Sequence, residues 1–438
     1  MRRVVKLAQQ MAEHPDGSTP DQTETWAELK AAYRLVDGDD ATFTALAEPH
    51  WKLTRRRARG TVLVIGDTTE LDFGLSRRVR GLGPVGNGFG QGFLLHNALL
   101  VDAATSEIVG LAGQEVLYRR PKPKGENSYR ATQRKGKESE VWARWIERIG
   151  PPAEGVRYVH VFDRGADNLD VFCQLRAQRG DWVIRAAQLH RLVDEETSSG
   201  RTERCSLRTV LARQPVLGTY ALQVRATKKE PARTAKLEVR AARVFVPPRV
   251  KRRTALPRAS GFTGLTQWVV EAREIAPPKG ATPVCWVLWS SRPVDTFEQA
   301  WQTLEDYERR WLIEEFHKAL KTGGRAEAGQ HQTAQRLEAM AGLCRVIAVR
   351  LVQLKTVAQV APDTPAERVV PRVWLEMLRA LRKRPIVSVR DFYRQLAGLG
   401  GFLMRKSDGE PGWITLWRGT EKLILAIRGY NSLRKKYG

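Results

Sequence analysis

Two short apolar runs, each followed closely by an aspartate, constrain the fold of this chain more than any other feature. Residues 61–65 (TVLVI) lead to Asp67, and residues 157–162 (RYVHVF) lead directly to Asp163. Runs of this length with many β-branched residues are typical of strands. In an α/β sheet, polar side chains at the carboxyl ends of strands gather in the crevice where ligands bind. The pattern therefore predicts an α/β sheet that carries two acids at one edge.

A structural role for the same aspartates is also open at this point. An aspartate that follows a strand commonly closes a turn or caps a helix. Asp67 is followed by two threonines and Asp163 precedes a predicted helix, so both positions fit that role too. The two aspartates alone do not decide between a binding site and local capping.

The order of the predicted elements favours a mixed α/β core interrupted by a β-rich insertion. Helices are predicted at residues 139–149 and 167–179. The remaining strands share short apolar or alternating patterns, and they are predicted at residues 92–101, 107–116, 181–186, 217–226, 235–246, 266–275 and 282–290. We therefore assign residues 59–187 and 284–360 to the two parts of one core, with residues 188–283 as the insertion.

Helical patterns flank this core on both sides. Within residues 21–36, an apolar stripe at helix spacing predicts an amphipathic helix, and it consists of Trp26, Leu29, Ala32, Tyr33 and Val36. Later helices show the same periodicity and are predicted at residues 296–322, 335–358, 370–383, 388–399 and 413–430. We predict a helical DNA-binding domain at residues 1–58 and a helical C-terminal region at residues 361–438.

The charge balance points to a polyanionic partner. The chain has 73 Lys and Arg against 48 Asp and Glu, for a formal net charge of +25, and nucleic acid is the first candidate. Five basic runs spread over the whole length, at residues 52–59, 119–137, 228–253, 379–384 and 434–436. One such run usually forms a solvated face, whereas five together favour a long DNA-binding surface.

Several other classes of protein are excluded by absent patterns. No stretch is apolar over the roughly 18 to 20 residues that a membrane helix needs, and the N-terminus lacks the apolar core of a secretory signal. The four cysteines are too widely spaced for a zinc knuckle or a redox pair. The glycine-rich segment at residues 81–92 lacks the Gly-Lys-Ser/Thr ending of a nucleotide-binding loop, and we interpret it as a mobile connection. We expect a cytoplasmic protein with reduced thiols and no membrane partner.

The most specific pattern lies in residues 307–321, YERRWLIEEFHKALK. In a continuous helix at 100° per residue, five polar residues of this segment fall within about 80° of the circumference. They are Tyr307, Arg310, Glu314, Lys318 and Lys321. A salt-bridged surface helix can also produce such a stripe, but a tyrosine, an acid and three cations on one face fit phosphate handling better.

Phosphodiester cleavage gives a reason for three acids. In-line attack benefits from two divalent ions about 3.5–4 Å apart, one at the attacking oxygen and one at the leaving oxygen. Carboxylates are the ligands that Mg²⁺ favours. We therefore predict that Asp67 bridges two Mg²⁺ ions and that Asp163 and Glu314 complete the two sites.

The segment YERRWLIEEFHKALKTG resembles the Tyr-Arg-Glu-Lys signature of the bacterial cut-and-paste DDE transposases of the insertion sequence four family. Tyr307, Arg310, Glu314 and Lys321 fill that signature without a gap. The segments IGDTTELDF and VFDRGADN are similar to the first two acidic motifs of the family, and LGGFLMRKSDGEPGWITLW resembles its C-terminal region. The resemblance therefore covers nearly the whole chain.

This resemblance implies a ribonuclease H-like catalytic core with a β-rich insertion, flanked by helical domains. It also implies an endonuclease and strand-transfer enzyme that nicks DNA at the ends of its element, forms and reopens a hairpin, and joins the 3′-hydroxyl to target DNA. Two Mg²⁺ ions per active site are expected, with Mn²⁺ able to substitute. The partners are transposon-end DNA, target DNA and a second subunit in a synaptic complex, and the expected location is the nucleoid. The family's N-terminal domain usually begins further upstream, so Met1 is expected to lie inside it.

The family also places a base-stacking tryptophan at the position of Trp286, twenty-one residues before Tyr307. The same residue fits a simpler role, because Trp286 belongs to a strand that is apolar on both faces and could be part of the core. Two other functions stay open beside the transposase. A structure-specific nuclease would share the three acids but would need neither the Tyr307, Arg310 and Lys321 set nor a large insertion. An inactive DNA-binding remnant would need no acids at all.

Overall fold

The computed structural model describes residues 2–13, 19–75, 79–119, 125, 138–196, 202–224, 226, 230–248, 263–323, 326–405 and 407–437. The chain forms two compact units. The sheet unit comprises Arg59–Asp67 and Pro123–Trp311, and the helix-rich unit comprises Met1–Ala58, Thr68–Lys122 and Leu312–Gly438. The basic runs at 119–137 and 434–436 lie largely outside the residues whose side chains are described, and the run at 228–253 is described over 230–248.

The described strands are numbered in chain order. They are β1 (Gly60–Asp72), β2 (Gly83–Val85), β3 (Gly90–Asp102), β4 (Ile108–Leu117), β5 (Val156–Phe162), β6 (Asp181–Arg185), β7 (Leu192–Glu196), β8 (Thr202–Ser206), β9 (Gly218–Val224), β10 (Arg233–Val246), β11 (Leu265–Glu274) and β12 (Cys285–Ser290).

The helices are numbered in the same way. They are α1 (Arg2–Glu13), α2 (Thr19–Gln22), α3 (Trp26–Asp37), α4 (Phe43–Arg57), α5 (Glu140–Ile149), α6 (Leu169–Ala177), α7 (Leu207–Arg213), α8 (Phe297–Glu308), α9 (Trp311–Lys318), α10 (Ala334–Val360), α11 (Ala366–Val369), α12 (Arg372–Arg382), α13 (Val389–Leu399) and α14 (Trp413–Tyr437). Short 3-10 turns span Arg164–Ala166 and Ala326–Ala328, and a π-helical turn spans Ala319–Gly323.

The sheet unit contains the mixed sheet that the element order predicts. Its strands lie in the order β1-β5-β6-β12-β11-β10-β7-β8, and β9 pairs with β10. The pairs β1–β5 and β5–β6 are parallel, whereas β6–β12, β12–β11 and β11–β10 are antiparallel. The β-rich insertion therefore continues the core sheet, because its last strand pairs with β12. The sequence patterns do not predict the short charged strands β7 and β8 or the helix α7.

Apolar side chains explain why the parallel strands lie at the centre of this unit. In β1, residues 62–65 have no exposed surface, and Val159, Val161 and Phe162 of β5 are equally buried. Helix α5 covers this part of the sheet, with Trp142 at 5.0 Å and Trp145 at 6.4 Å from Phe162 between ring centroids. Such burial on both faces is what the continuous apolar runs predict for parallel strands.

The helix-rich unit contains the antiparallel strands β2, β3 and β4 and the helices of both chain ends. The glycine-rich segment at 81–92, interpreted above as a mobile connection, is a β-hairpin in which Gly83–Val85 pair with Gly90–Gly92. The mobile-connection interpretation is therefore wrong. Gly92 is required by close approach, because a Cβ at this residue would lie 1.8 Å from the Leu71 carbonyl oxygen.

The helix expected at 21–36 is shorter and oriented differently. It begins at Trp26, where Thr25 caps it by accepting a hydrogen bond from the Glu28 amide. Ala32 and Val36 are buried as the stripe predicts, but 68% of the Trp26 side chain is exposed. The ring lies under the Lys30 ammonium, 5.2 Å from its centroid, so its inclusion in a buried stripe is wrong.

The C-terminal helices form a core of their own. Residues Leu375, Leu378, Phe392, Leu396 and Leu423 from α12, α13 and α14 are fully buried against one another. No helix among the described residues is long and apolar enough to cross a membrane.

Candidate active site

The two predicted aspartates lie at equivalent positions on neighbouring parallel strands. Ile65 of β1 pairs with Val161 of β5, and Asp67 and Asp163 each follow two residues later. Adjacent strands are about 4.7–4.9 Å apart, so the register brings both carboxylates to the same edge of the sheet. Strand β1 continues to Asp72, which corrects the expectation that Asp67 closes it. Its pairing with β5 ends at Ile65.

The backbone beside Asp67 also depends on close packing. A Cβ at Gly66 would lie 2.6 Å from the Phe162 ring and 3.1 Å from the Trp142 ring. Glycine at this position therefore lets β1 and β5 approach under the aromatic cover of α5. Any larger residue would shift the strand that carries Asp67.

Asp163 serves as a cap as well as an acid. Its Oδ1 atom accepts a hydrogen bond of 2.8 Å from the Gly165 amide, which begins the turn Arg164–Ala166. The capping alternative raised by the sequence is thus correct for this residue. The cap occupies one carboxylate oxygen, so it is compatible with a ligand at the other.

Asp67 is paired with the arginine of the predicted signature. The Arg310 guanidinium donates from Nη1 to Asp67 Oδ2 at 3.0 Å, and about one fifth of each side chain is exposed. The contact joins residues that lie 243 positions apart in the chain. Arg310 therefore brings positive charge directly to the first acid, where a phosphate or a cation would also have to bind.

Arg310 does not lie on a continuous helix. Helix α8 ends at Glu308 and α9 begins at Trp311, so the single helix expected over 296–322 is wrong. At the break, the Arg310 amide bonds to the Tyr307 carbonyl at 3.0 Å, which tightens the chain into a turn. The calculated common face of Tyr307, Arg310, Glu314, Lys318 and Lys321 consequently loses its geometric basis.

A buried carboxylate lies in the last turn of α8. Asp306, 1% exposed, accepts a hydrogen bond of 2.6 Å from Arg292 and one of 3.3 Å from Arg309. Gln302 donates to the same group at 3.1 Å. Burying Asp306 requires these partners, and they hold the last turn of α8 against the residue that precedes Arg310.

Two aromatic residues of the predicted site contact each other in the sheet unit. The rings of Trp286 and Tyr307 meet edge to face, with their centroids 5.9 Å apart. Tyr307 is buried, whereas Trp286 is only partly buried at the start of β12. Trp289 of the same strand is fully buried. The doubly buried strand expected here therefore holds for its second half but not for Trp286.

Glu314 and Glu315 differ sharply in the helix-rich unit. Glu314 is exposed on α9, whereas Glu315 is 8% exposed and accepts hydrogen bonds from Lys318 at 3.1 Å, from Trp413 at 2.7 Å, and from Lys355. Burial alone raises the pKa of Glu315, but Lys355, Trp413 and Lys318 together hold that pKa below its ordinary value. Glu315 is thus committed to structure, which leaves Glu314 as the acid presented at the helix surface.

The two predicted lysines also have carboxylate partners. Lys318 pairs with Glu315, and the Lys321 ammonium lies 3.7 Å from Glu327. Lys318 is more exposed than Lys321, at 58% against 35% of the side chain. Both ammonium groups are close enough to the surface to exchange a carboxylate for a phosphate.

Three protein-family descriptions match the chain. The transposase DDE domain matches residues 127–350, which is 224 of the 438 residues. The chain belongs to the DDE transposase family. Transposase DNA-binding matches residues 1–41, and the transposase Tn5 dimerisation domain matches residues 346–437.

Family membership gives this transposase its coarse assignments. It is a nuclease and transposase with a ribonuclease H-like core, and DNA and a second copy of the chain are its partners. Asp163, Arg310 and Glu314 lie inside the matched DDE region, and Asp67 lies upstream of it. Transposases of this family generally use divalent metals.

Asp67 and Asp163 have the chemistry of a hard-cation site. Both offer carboxylate oxygens, the ligand type that Mg²⁺ and Mn²⁺ favour, and the register places them on adjacent strands. Within the described parts of the chain, no group of three or more His, Cys, Asp and Glu side chains is close enough to hold a metal. The carboxylate oxygens of Asp67 and Asp163 therefore suit a divalent ion.

A buried polar chain in the helix-rich unit of this transposase was missed by sequence reasoning. His317 of α9 lies 3.0 Å from the Asn97 amide nitrogen, and Gln114 donates to Asn97 at 2.6 Å. The Trp51 indole donates to Gln114 at 3.4 Å. All of these side chains are buried, so the chain joins α4, β4 and β3 to the helix that carries Glu314. His317 stands in the quoted motif, but its partner is 220 residues away.

Proposed function

We propose that this transposase mobilises an insertion sequence by a cut-and-paste mechanism of the insertion sequence four type. In this mechanism, the enzyme nicks the element ends, forms and reopens hairpins, and transfers the 3′-hydroxyl ends to target DNA. The observation that carries the proposal is the triad of Asp67, Asp163 and Arg310. Two acids stand in register on neighbouring parallel strands, and the signature arginine binds the first of them.

Asp67, Asp163 and Glu314 would hold the divalent ions, with Asp67 as the shared ligand. Two Mg²⁺ ions held there would supply an activated attacking oxygen and stabilisation of the leaving oxygen, and Mn²⁺ would substitute. The exposed position of Glu314 and the structural commitment of Glu315 support this choice of ligand.

The cations of the signature have a separate role in this proposal. Arg310, Lys318 and Lys321 bind phosphates of the DNA backbone, where guanidinium and ammonium groups form charge-assisted hydrogen bonds. Arg310 also screens Asp67 from the phosphate charge that must approach it. Because Arg310 lies in the turn between α8 and α9, its position does not follow from the periodicity of one helix.

Trp286 is the proposed stacking surface for a base expelled from the duplex. Hairpin formation requires a 3′-hydroxyl to reach the phosphate of the opposite strand, so the DNA end bends tightly and a base leaves the stack. An aromatic face stabilises such a base by roughly 1–3 kcal/mol. The partial exposure of Trp286 and its edge contact with Tyr307 support this role.

In the synaptic complex, two subunits would pair through their C-terminal helices and hold two transposon ends. Glu314 in the active site of one subunit would then act on the DNA end that the other subunit holds. The dimerisation region, residues 346–437, and the DNA-binding region, residues 1–41, support this arrangement of partners.

The decisive experiment uses the DNA that flanks the gene. Purified protein is incubated with this DNA and Mg²⁺, and the ends are mapped for nicks, hairpins and joined target DNA. The proposal expects nicks at both element ends, then hairpins, then strand-transfer products. Nicks at branched DNA of any sequence would instead identify a structure-specific nuclease, and binding without cleavage would identify an inactive remnant.

A further inference from the structure

Glu315 is a buried carboxylate that lies beside the proposed metal ligand and contacts two separate C-terminal helices. It stands in the matched DDE region, whereas Lys355 of α10 and Trp413 of α14 both belong to the matched dimerisation region. Trp413 is the first residue of α14 and donates from its indole nitrogen to Glu315 at 2.7 Å. The Lys355 ammonium binds the same oxygen and lies 4.6 Å from the centroid of the Trp413 ring.

The three side chains form one closed cluster. Lys355 and Glu315 are 13% and 11% exposed in their side chains, so water screens their attraction only weakly. The Lys355 charge also faces the Trp413 ring, which adds a cation–π contact. Removing one member of such a cluster leaves the others buried without a partner. Its geometry therefore favours all three contacts at once or none.

The contacts of Glu315 also affect the orientation of Glu314, because the two residues are adjacent in α9. Side chains at successive helix positions are about 100° apart around the axis. Fixing Glu315 toward α10 and α14 therefore fixes the direction in which Glu314 leaves the same helix. Two residues after Glu315, the contact between His317 and Asn97 restrains the rotation of α9 a second time.

We propose that the Glu315–Lys355–Trp413 cluster positions Glu314 and makes its metal-binding orientation depend on the dimerisation region. This inference rests on the proposed function, in which Glu314 is a metal ligand. Glu315 is a positioning residue and does not contact substrate. An enzyme that pairs two DNA ends before cutting benefits from this dependence, because the helix that carries Glu314 is held by the same region that forms the dimer.

The test compares four variants with the full-length protein. Glu315→Gln removes the charge and keeps the shape, Lys355→Met keeps the apolar stem, and Trp413→Phe removes one N–H donor. Glu410→Gln is the matched control, since Glu410 pairs with Arg390 at 3.0 Å and with Arg394 at 3.6 Å, both within the dimerisation region. Circular dichroism and melting temperature establish that each variant is folded.

Mn²⁺ binding to the complex with end DNA is measured by calorimetry, and the single-turnover nicking rate is measured over a Mg²⁺ titration. We expect Glu315→Gln and Lys355→Met to weaken Mn²⁺ binding about 10- to 100-fold, as loss of the groups that orient a ligand does. The Kd of Lys355→Met for end DNA should not change, whereas Glu315→Gln also releases Lys318 and is judged by its Mn²⁺ binding. The double variant should be no worse than the worse single one, and Trp413→Phe should have a smaller effect in the same direction.

Normal Mn²⁺ binding and nicking in folded Glu315→Gln and Lys355→Met would overturn the inference, provided that Glu314→Ala does not cleave. If Glu314→Ala cleaves normally, the choice of Glu314 as ligand is wrong, which is a failure of the proposed function and not of the cluster. If Glu315→Gln does not fold, Trp413→Phe decides, because it removes a single hydrogen bond. Equal losses in Glu410→Gln would also contradict the inference, since they would show a general effect of ion pairs in the dimerisation region.

Discussion

The parallel strands β1 and β5 and the segment 297–323 carry the proposed catalytic groups in two different ways. On the strands, Asp67 and Asp163 occupy equivalent register positions, and buried apolar side chains on both faces hold them there. In the segment, α8, a turn, α9 and a π-helical turn follow one another within 27 residues. There, the carboxylates of Asp306 and Glu315 are buried and paired with cations.

This difference shows that the two regions respond to different kinds of substitution. Apolar packing against a pleated strand tolerates exchange of similar side chains. A buried carboxylate with two cationic partners does not tolerate the loss of its charge, because the partners then lack a counter-ion. We therefore expect catalytic geometry on the strands to be robust, and catalytic geometry in the segment to depend on a few polar residues.

The largest expected effect follows from removing the acids themselves. Asp67→Ala, Asp163→Ala and Glu314→Ala should each reduce the nicking rate by at least about 10³-fold, since several kcal/mol of charge stabilisation are lost with a metal ligand. Binding of end DNA should be largely retained because the basic surface is intact. Gel-based nicking and mobility-shift assays measure the two quantities. An inactive Glu315→Ala beside an active Glu314→Ala would reverse the assignment of the third ligand.

The same contrast explains which parts of the molecule are predictable from its sequence. The strand pattern at 157–162 gives β5 within one residue, and the periodicity at 335–358 gives α10 within two, because both patterns are local. The break between α8 and α9 was not predictable from residue spacing, which fits one continuous helix, and the contact of Asp306 with Arg292 spans 14 positions. The buried contact of Asn97 with His317 spans 220 positions and has no local signal at all.

The same limit applies to the site residues, because local patterns do not reveal contacts between distant positions of the chain. The motif around Glu314 identified an acid and its cations, but a helical projection could not show that Arg310 leaves the helix to reach Asp67. Nor could it show that Lys318 binds Glu315. The prediction that Trp26 belongs to the buried stripe was wrong for a related reason. Its spacing fits the stripe, but its ring lies at the surface beneath Lys30.

A substitution at Asp306 tests the buried ion pairs of the segment 297–323 without changing a proposed catalytic residue. Asp306→Asn should lower the free energy of unfolding by about 1.5–3 kcal/mol, because hydrogen bonds to two arginines lose their charged acceptor. Asp295→Asn, at an exposed site just before the same helix, is the matched control. Urea denaturation of both variants provides the measurement. Equal stability of the two would show that the buried ion pairs do not hold the turn.

Trp286 and Trp289 lie on the same strand. Substituting each of them distinguishes a role in base stacking from a role in the core. Trp286→Ala should leave first-strand nicking near normal and slow the hairpin step by about 5- to 150-fold, the kinetic equivalent of the stacking energy. Trp289→Ala should lower the melting temperature and reduce nicking and hairpin formation together, because its ring is fully buried. The same pattern in Trp286→Ala would end the base-stacking idea.

The smallest effect concerns the strands and is a dependence on pH. His160 of β5 is 1% exposed, packs against the Tyr158 and Phe162 rings, and burial lowers its pKa from 6.5 to about 3. Between these values the unfolded chain binds a proton that the folded protein excludes. The unfolding free energy should therefore fall as the pH decreases below 6.5, by up to about 1.4 kcal/mol per pH unit from this group. At neutral pH the group is uncharged in both states and contributes no such slope.

Carboxylates also titrate in this range, so the slope of the native protein alone does not isolate His160. The variant His160→Gln keeps a polar side chain without a titration, and every other group titrates as before. Urea denaturation from pH 7 down to pH 4.5 should show that the native protein loses stability more steeply than the variant, so their curves converge as the pH falls. Parallel curves would mean that a proton reaches His160 inside the folded sheet. The tight packing inferred for the strands, in contrast to the polar segment, would then be wrong at the position three residues before Asp163.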